Sequence, residues 1–476
     1  MLLERFYDDT LAQASYLVGC QATGEALVID ANRNVEQYME KARAEKFRIA
    51  HVTETHIHAD FVSGSRELAQ RTGAQLYLSA EGGEDWQYEF GGEAGVTLLH
   101  DGDEIRVGNV LLRVMHTPGH TPEHLSFLLT DGAASDRPMG VFTGDFVFVG
   151  DVGRPDLLER AAGHQDTMDA SARTLHRSLQ GFRELPDWLQ IWPGHGAGSA
   201  CGKALGAVPS STLGYEKLVN WGLSGLSEEA FVESVLAGQP EPPAYFADMK
   251  RINREGPAPR YDAIAPTRMD AGALDAVLGQ PGSIVVDMRS AAVVAGSYIP
   301  GTINVPYGKK FSTWVGTIVP IDSAVYLVAV DPDGESARSA TNDLALIGYD
   351  SVTGWFPPDV VQEWAERTGN SVESIGQVPA AEMDSMVAAG EVAVLDVRGR
   401  SEYEAGHVPG VPNIPLQELA RRLDEVPDDR PVVVHCQGGS RSAISASLLR
   451  RVGKDASNVV GGYEAWREAG VREGLG

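Results

Sequence analysis

Two sets of residues in this chain have the types and spacing to do chemistry. The first is rich in metal donors. The stretch THIHAD places His56, His58 and Asp60 just after an apolar β-like run that ends near Val52. Alternate residues of an extended segment point to one side, so these side chains converge at a strand end. HTPGHT supplies His120, FTGD supplies Asp145 and WPGHG supplies His195, each after an apolar run and flanked by Gly or Pro. Neutral imidazoles with carboxylates suit zinc or iron. A lone histidine is more often structural, but donors recurring in this order and context are not scattered at random. The second set surrounds Cys436. In VVVHCQGGSRSA a buried strand pattern leads into a Gly-containing loop and then an amphipathic helical pattern. Backbone N–H groups of Gly438, Gly439 and Ser440 would form an anion-binding nest at a helix N-terminus, a setting that favours thiolate. Arg441 adds charge, either to brace the loop or to bind an incoming anion. Cys201 lies six residues after His195, in GAGSACGKALG. It reads equally as a sulfur relay and as a small buried residue. Cys20 lies in an apolar β-like run and reads as core.

The elements that must position these groups fall into three blocks. Up to about residue 245, short β-like runs (Ala26–Ile29, Ile49–Val52, Gln75–Leu78, Val110–Val114, Val141–Phe142, Leu189–Trp192) alternate with helical stretches such as Val62–Arg71. That pattern predicts a sheet-rich α/β sandwich. QPEPP (Gln239–Pro243) breaks regular structure, and Pro257, Pro259 and Pro266 mark a linker. Beyond it the chain repeats itself. SIVVDMRS (Ser283–Ser290) parallels VAVLDVRG (Val392–Gly399), and GSYIPGTINVPY (Gly296–Tyr307) parallels AGHVPGVPNIPL (Ala405–Leu416). AVYLVAV (Ala324–Val330) parallels PVVVHC (Pro431–Cys436). Two α/β domains in tandem are expected. The boundaries predicted are 1–250, a linker at 251–266, then 267–375 and 376–476.

With 476 residues the chain is too long for one core. Its formal net charge of -27 excludes nucleic acid and anionic membrane as partners. No apolar run reaches about 18 residues, so no membrane span is expected. MLLERFYDDTLAQ lacks the basic and apolar regions of a secretory signal. Three cysteines far apart in sequence are no disulfide framework and suit a reducing cytoplasm.

THIHAD, PGHT, TGD and the last PGH resemble the metal motifs of the metallo-β-lactamase superfamily, over roughly the first 200 residues. That resemblance implies an αββα sandwich. The hydrolases of the superfamily continue HxHxDH, whose last His helps bind a second metal; here that position is Phe61, which cannot ligate. This argues for one metal and points to the persulfide dioxygenase group. The resemblance implies a single Fe(II) per chain held by His56, His120 and Asp145, with open positions for O2 and the substrate's terminal sulfur. His58, Asp60 and His195 become residues that orient ligands or water. FTGDFVFVGDVGRPDL (Phe142–Leu157) is similar to the stretch after the aspartate ligand in that group, and Arg154 would anchor a substrate carboxylate or form a structural salt bridge. The stretch around Cys201 resembles one in persulfide dioxygenases fused to rhodaneses.

The last 100 residues resemble rhodaneses through LDVRGRSEYEAGHVPG, the Cys436 loop and GGYEAW. Cys436 to Arg441 is C-x4-R, the short loop of sulfur-handling rhodaneses; phosphatase relatives use one residue more. Asp396, Arg398 and Glu402 match the scaffold motif and read as structural. In the middle block VDPDGESARSA (Val330–Ala340) puts Asp331 where the cysteine should be. A carboxylate carries no sulfane sulfur, so this module is expected to be inactive in sulfur transfer and to serve as spacer, docking surface or oligomer contact. Together the resemblances imply oxidation of a thiol persulfide (of glutathione, coenzyme A or similar) by O2 to sulfite, coupled to thiosulfate formation or use through a Cys436 persulfide. They also imply a homo-oligomer. A dinuclear thioester hydrolase of the glyoxalase II type is the alternative enzyme. A persulfide-sensing scaffold is the non-enzymatic one.

Overall fold

The computed structural model describes residues 1–157, 167–203, 205–261 and 265–469. The alternating apolar runs of the first block form two six-stranded sheets. One runs in chain order from Leu2–Asp8 to Val96–Leu99, the other from Glu104–Val107 to Ser211–Thr212. The β-like runs read from sequence lie in these strands or within a residue of them. Leu2–Asp8 and Leu125–Asp131 were not foreseen. The first is half-buried along its whole length and so lacks alternation. The second, LSFLLTD, mixes apolar and polar residues without strict alternation, a pattern that periodicity cannot assign.

The two sheets face each other through a core that joins Tyr16, Val18, Leu27 and Ile29 to Ile105, Leu112, Phe127 and Phe142. Helices Val35–Ala44 and Ser65–Thr72 cover the outer face of the first sheet through Tyr38, Leu68 and Ala69. Met168–Arg183 covers the second through Leu175, Leu179 and Phe182. Each sheet thus buries both faces, giving the expected αββα order. Strand polarity brings the donor loops together. Gly140–Gly144 runs parallel to Gln190–Pro193, so the residues after them, Asp145 and His195, emerge at the same edge. Leu125–Asp131 runs antiparallel to Gly140–Gly144, which places the loop carrying His120 at that edge too.

Residues 251–255, expected to be linker, instead finish the helix Phe246–Glu255. The physical reason is Asn253, which is 1% exposed. Its amide donates to the carbonyls of His58 (2.8 Å) and Phe61 (2.7 Å), and its oxygen accepts from Ser63 N–H (2.8 Å). A segment more than 190 residues away in sequence therefore ties down the THIHADF loop. Residues 262–264 of the expected linker lie outside the described residues.

A second compact unit holds two wholly parallel sheets. One has the order Thr267–Arg268, Val352–Phe356, Ala324–Val328, Ser283–Asp287, Ile303–Asn304; the other Gln377–Pro379, Ala456–Val460, Val432–His435, Ala393–Asp396. Both are rhodanese-like α/β sub-domains, and the same bonds recur in each. Arg289 forks onto Asp287 and donates to Ser297 O, as Arg398 forks onto Asp396 and donates to Gly406 O. Asn304 bridges the carbonyls of Asp287 and Arg289, as Asn413 bridges those of Asp396 and Arg398. The helix Ser440–Arg451 is buried without a break from Ser442 to Leu449. Its outer side packs on the strand Ile303–Asn304 of the preceding sub-domain, where Asn304 N–H donates to Ser447 Oγ and Arg451 Nε to Gly301 O. Among the described residues no helix is long and apolar enough to cross a membrane.

Asn253→Ala strands one N–H and two carbonyls in a buried loop. It is expected to destabilise the first unit by about 2–4 kcal/mol, read as a lower urea midpoint of its unfolding transition.

Candidate metal centre and sulfur site

Asp30 sets the first donor. Its backbone is left-handed (φ 54°), and its carboxylate accepts from Thr55 N–H (2.7 Å) and Thr55 Oγ1–H (3.0 Å). Thr55 Oγ1 lies 2.9 Å from His56 Nδ1, which fixes that ring and leaves Nε2 facing inward. His120 Nδ1 donates to Arg154 O (2.9 Å), again freeing Nε2. The two Nε2 atoms lie 4.0 and 3.6 Å from Asp145 Oδ2. Oδ2 is buried and has no hydrogen-bond partner. His56, His120 and Asp145 are each no more than 1% exposed. A bare carboxylate oxygen facing two imidazole nitrogens in a dry pocket is the environment a divalent cation satisfies. The donor set fits the Fe(II) expected there, and equally fits Zn(II).

The electrostatics agree. Burial lowers the pKa of His56 well below the usual imidazole value, with His58 adding to the effect; burial also lowers His120. Burial works to raise Asp145, but His195, His56 and His120 drive it well below the ordinary carboxylate range. Two neutral imidazoles and an anionic carboxylate are the protonation states that bind a metal.

Behind this set, His195 spans two carboxylates. Its Nδ1 lies 2.7 Å from Asp145 Oδ1 and its Nε2 lies 2.7 Å from Asp60 Oδ2. Burial opposes protonation of His195, but Asp145 and Asp60 raise its pKa well above the usual value. His58 is likewise raised, to about 9: burial lowers it, Asp30 more than compensates, and Nε2 sits 3.2 Å from Asp30 Oδ1. Phe61 occupies the position of the missing imidazole and packs against the His58 ring, with centroids 4.3 Å apart. Yet Asp60, His195 and Cys201 form a second buried trio whose donor atoms all lie within 4.8 Å of one another. Phe61 therefore removes one donor without emptying the neighbouring site. Two clusters capable of holding a metal are present, and the expectation of one ion does not follow from Phe61 alone.

Arg154 takes the salt-bridge alternative. It is 0% exposed, forks onto Asp156 (2.8 and 2.7 Å) and donates to Ala200 O (3.0 Å). With all three groups committed and no surface, it braces the Cys201 loop instead of meeting a substrate carboxylate. Cys201 is 2% exposed, and burial, then Asp145 and Asp60, push its thiol well above the ordinary pKa. His124 was missed by the sequence reading. Its Nε2 accepts from Asp145 N–H (3.1 Å), its Nδ1 meets Thr117 Oγ1 (2.9 Å) and its ring stacks on His56. Gly144 (φ 48°) permits this approach, since a Cβ there would lie 2.7 Å from His124 Nε2. The only signal in the sequence was a third histidine in HTPGHTPEH.

Cys436 ends the strand Val432–His435 and is 1% exposed. Gly439 N–H (3.1 Å) and Ser442 Oγ (3.4 Å) donate to its sulfur. Of the expected nest residues, Gly439 reaches the sulfur, while Gly438 and Ser440 stand exposed on the loop; Ser442 was not foreseen. Arg441 braces the loop: both of its terminal nitrogens bind Glu402 (2.6 and 2.7 Å), and Glu402 also accepts from Gly399 N–H. In the preceding sub-domain the Asp331 carboxylate accepts from Glu335 N–H (2.8 Å) and Ser336 N–H (2.9 Å) at the start of the helix Glu335–Leu346. The anion nest there is filled by the chain's own side chain.

Residues 8–195 match the family model described as Metallo-beta-lactamase superfamily, and residues 379–469 match the Rhodanese-like domain. A crystal structure titled as a metallo-beta-lactamase from Staphylococcus aureus is 44% identical, covers 75% of this chain and 99% of its own, and superposes with a TM-score of 0.69. The mitochondrial persulfide dioxygenase of Homo sapiens is 29% identical over 202 residues, 41% of this chain and 68% of that protein. The hydroxyacylglutathione hydrolase of Rhodospirillum rubrum is 27% identical over 245 residues, 50% of this chain and 80% of that protein. Of several other curated relatives the chain spans about half the length. A shared fold and 44% identity over nearly the whole of the Staphylococcus protein make this chain a member of the metallo-β-lactamase superfamily with a rhodanese-like domain behind it.

Proposed function

We propose that this enzyme oxidises a thiol persulfide with O2 and hands sulfane sulfur to sulfite through Cys436. The observation that carries this is the set of His56 Nε2, His120 Nε2 and the partnerless Asp145 Oδ2 facing one another, two imidazoles and one carboxylate. When bound there, Fe(II) would supply the redox chemistry that joins O2 to the persulfide's terminal sulfur. R–S–SH, O2 and water give R–SH, sulfite and two protons. The protein's part is positional. Arg154 O and Thr55 Oγ1 hold the two rings, His195 holds one oxygen of Asp145 so that the other points inward, and burial excludes water.

At Cys436 the sulfane sulfur forms a cysteine persulfide, with Gly439 N–H and Ser442 Oγ already directed at the sulfur. Sulfite's sulfur lone pair then makes the new S–S bond, and the bond to Cys436 breaks to return a thiolate. Residues 1–250 would carry the oxidation and 376–476 the transfer, with 267–375 a support. Fusion raises the local concentration of the shared intermediate. The similarity to the human persulfide dioxygenase supports this division. The second reading is a dinuclear thioester hydrolase. The Asp60, His195 and Cys201 trio and the similarity to hydroxyacylglutathione hydrolase favour it.

The deciding measurement is O2 consumption with glutathione or coenzyme A persulfide, before and after Fe(II) loading. Uptake that needs iron is expected; two tightly held zincs per chain and no iron-dependent uptake would sink the proposal. His120→Ala is expected to lose bound iron and O2 uptake, while Cys436 still accepts sulfur. Cys436→Ser should abolish thiosulfate formation and leave O2-dependent sulfite release intact. Loss of both activities in a folded, iron-loaded C436S protein would contradict separable sites.

A further inference from the structure

The rim of the Cys436 loop carries a charge that the sulfur-transfer chemistry has not used. The first turn of the helix Gly462–Glu468 is bonded directly to the loop: Tyr463 N–H donates to Cys436 O (2.7 Å) and Glu464 N–H to Gln437 O (3.1 Å). Gly462 (φ 57°) allows this contact, since a Cβ there would lie 2.2 Å from Cys436 O. The Glu464 side chain then reaches over the loop. Its Oε1 accepts from Gln437 Nε2 (3.1 Å), and its Oε2 lies 3.9 Å from where a Cβ on Gly438 would be. Gln437 is clamped from the other side by Arg398 Nη1, which donates to its oxygen (3.2 Å). The Gln437 amide and the Glu464 carboxylate are thus fixed at the exposed mouth of the loop, beside Gly438.

The nearby cations do not offset that carboxylate. Arg441 is forked onto Glu402 and Arg398 onto Asp396, each at 2.6 to 2.7 Å for its shortest bond. Among the described residues Glu464 makes no ion pair, and its side chain is exposed. The mouth therefore presents two neutralised arginines, one neutral amide and one uncompensated negative charge. A dianion such as thiosulfate meets twice the repulsion there that a monoanion meets.

Resting on the proposed sulfur transfer, we infer that Glu464 is a specificity-determining residue. Held over the loop by Gln437, it favours a donor with at most one negative charge at its sulfur end, as a thiol persulfide has, and disfavours thiosulfate, whose two charges both sit there. In the loading step the Cys436 thiolate attacks the terminal sulfur of R–S–SH, the donor's S–S bond breaks, and R–S⁻ leaves with the electron pair and takes up the proton that the terminal sulfur gives up, leaving the Cys436 persulfide.

Single-turnover loading of Cys436 in the full chain, followed by intact-mass spectrometry, tests this with two simple donors: thiosulfate and the persulfide of 2-mercaptoethanol. Glu464→Gln keeps an oxygen for the Gln437 amide and removes only the charge. At low ionic strength E464Q should load about fivefold faster from thiosulfate and about twofold faster from the persulfide, because the repulsion scales with donor charge. Both gains should shrink in about 0.5 M salt, where screening acts within a few ångströms. Glu464→Lys should move further in the same direction. Equal loading of wild type and E464Q by thiosulfate, or equal gains for the two donors, overturns the role of Glu464. If neither donor loads Cys436 in the wild-type chain, the sulfur-transfer proposal itself fails.

Discussion

The structure depends on a carboxylate with no exposed surface. Asp145 cannot remain ionised in a dry interior unless its oxygens find donors or a cation. One oxygen is held by His195, which Asp60 in turn holds from its far side. The other is left for a metal, with two imidazoles aimed at it. The features that shape the edge of the sandwich serve this arrangement. Parallel strands end together to bring Asp145 and His195 side by side, Gly144 lets His124 approach the Asp145 backbone, and Asn253 clips the histidine loop in place. Removing any one of them leaves a buried polar group without a partner, which is why sequence positions as distant as 30 and 253 belong to one site.

The two parallel-sheet sub-domains show the same scaffold with a cysteine at the strand end in one and an aspartate in the other. The fork of arginine onto the Asp-x-Arg aspartate and the asparagine that bridges their carbonyls are retained in both. These bonds hold the strand ends and make no use of a nucleophile. What differs is the nest. Around Cys436 the Gly439 N–H faces a sulfur; in the preceding sub-domain the Glu335 and Ser336 N–H groups face the Asp331 carboxylate. An internal anion satisfies the same donors that an incoming one would, so the fold loses nothing when the chemistry is lost. The retained sub-domain still has work, because the helix that follows Cys436 has one side packed on it.

An overall charge of -27 would repel every anion this enzyme is proposed to handle. The sites answer that locally. Paired arginines near Cys436 cancel their neighbours, and the metal trio offers a cation's place within a neutralised shell of imidazoles. Specificity among anions then rests on single residues at the rim, where one uncompensated carboxylate can tell a dianion from a monoanion.

The sequence by itself determined the donor types, their order and the fold class. Motifs such as THIHAD and the C-x4-R loop are local, and the periodicities of strands are set by backbone geometry. It also put Asp331 where the last block has its cysteine. Only the tertiary structure decided which donors meet. Cys201 joins Asp60 and His195 because two loops more than 130 residues apart share an edge, so the loss of a histidine at position 61 does not empty the second cluster. Arg154 and Arg441 had two roles open in the sequence; the structure buries Arg154 on Asp156 and forks the half-buried Arg441 onto Glu402. His124 and Asn253 carried almost no signal, because a residue that acts by holding another is defined by what it touches, and contact across the chain is not written in local spacing.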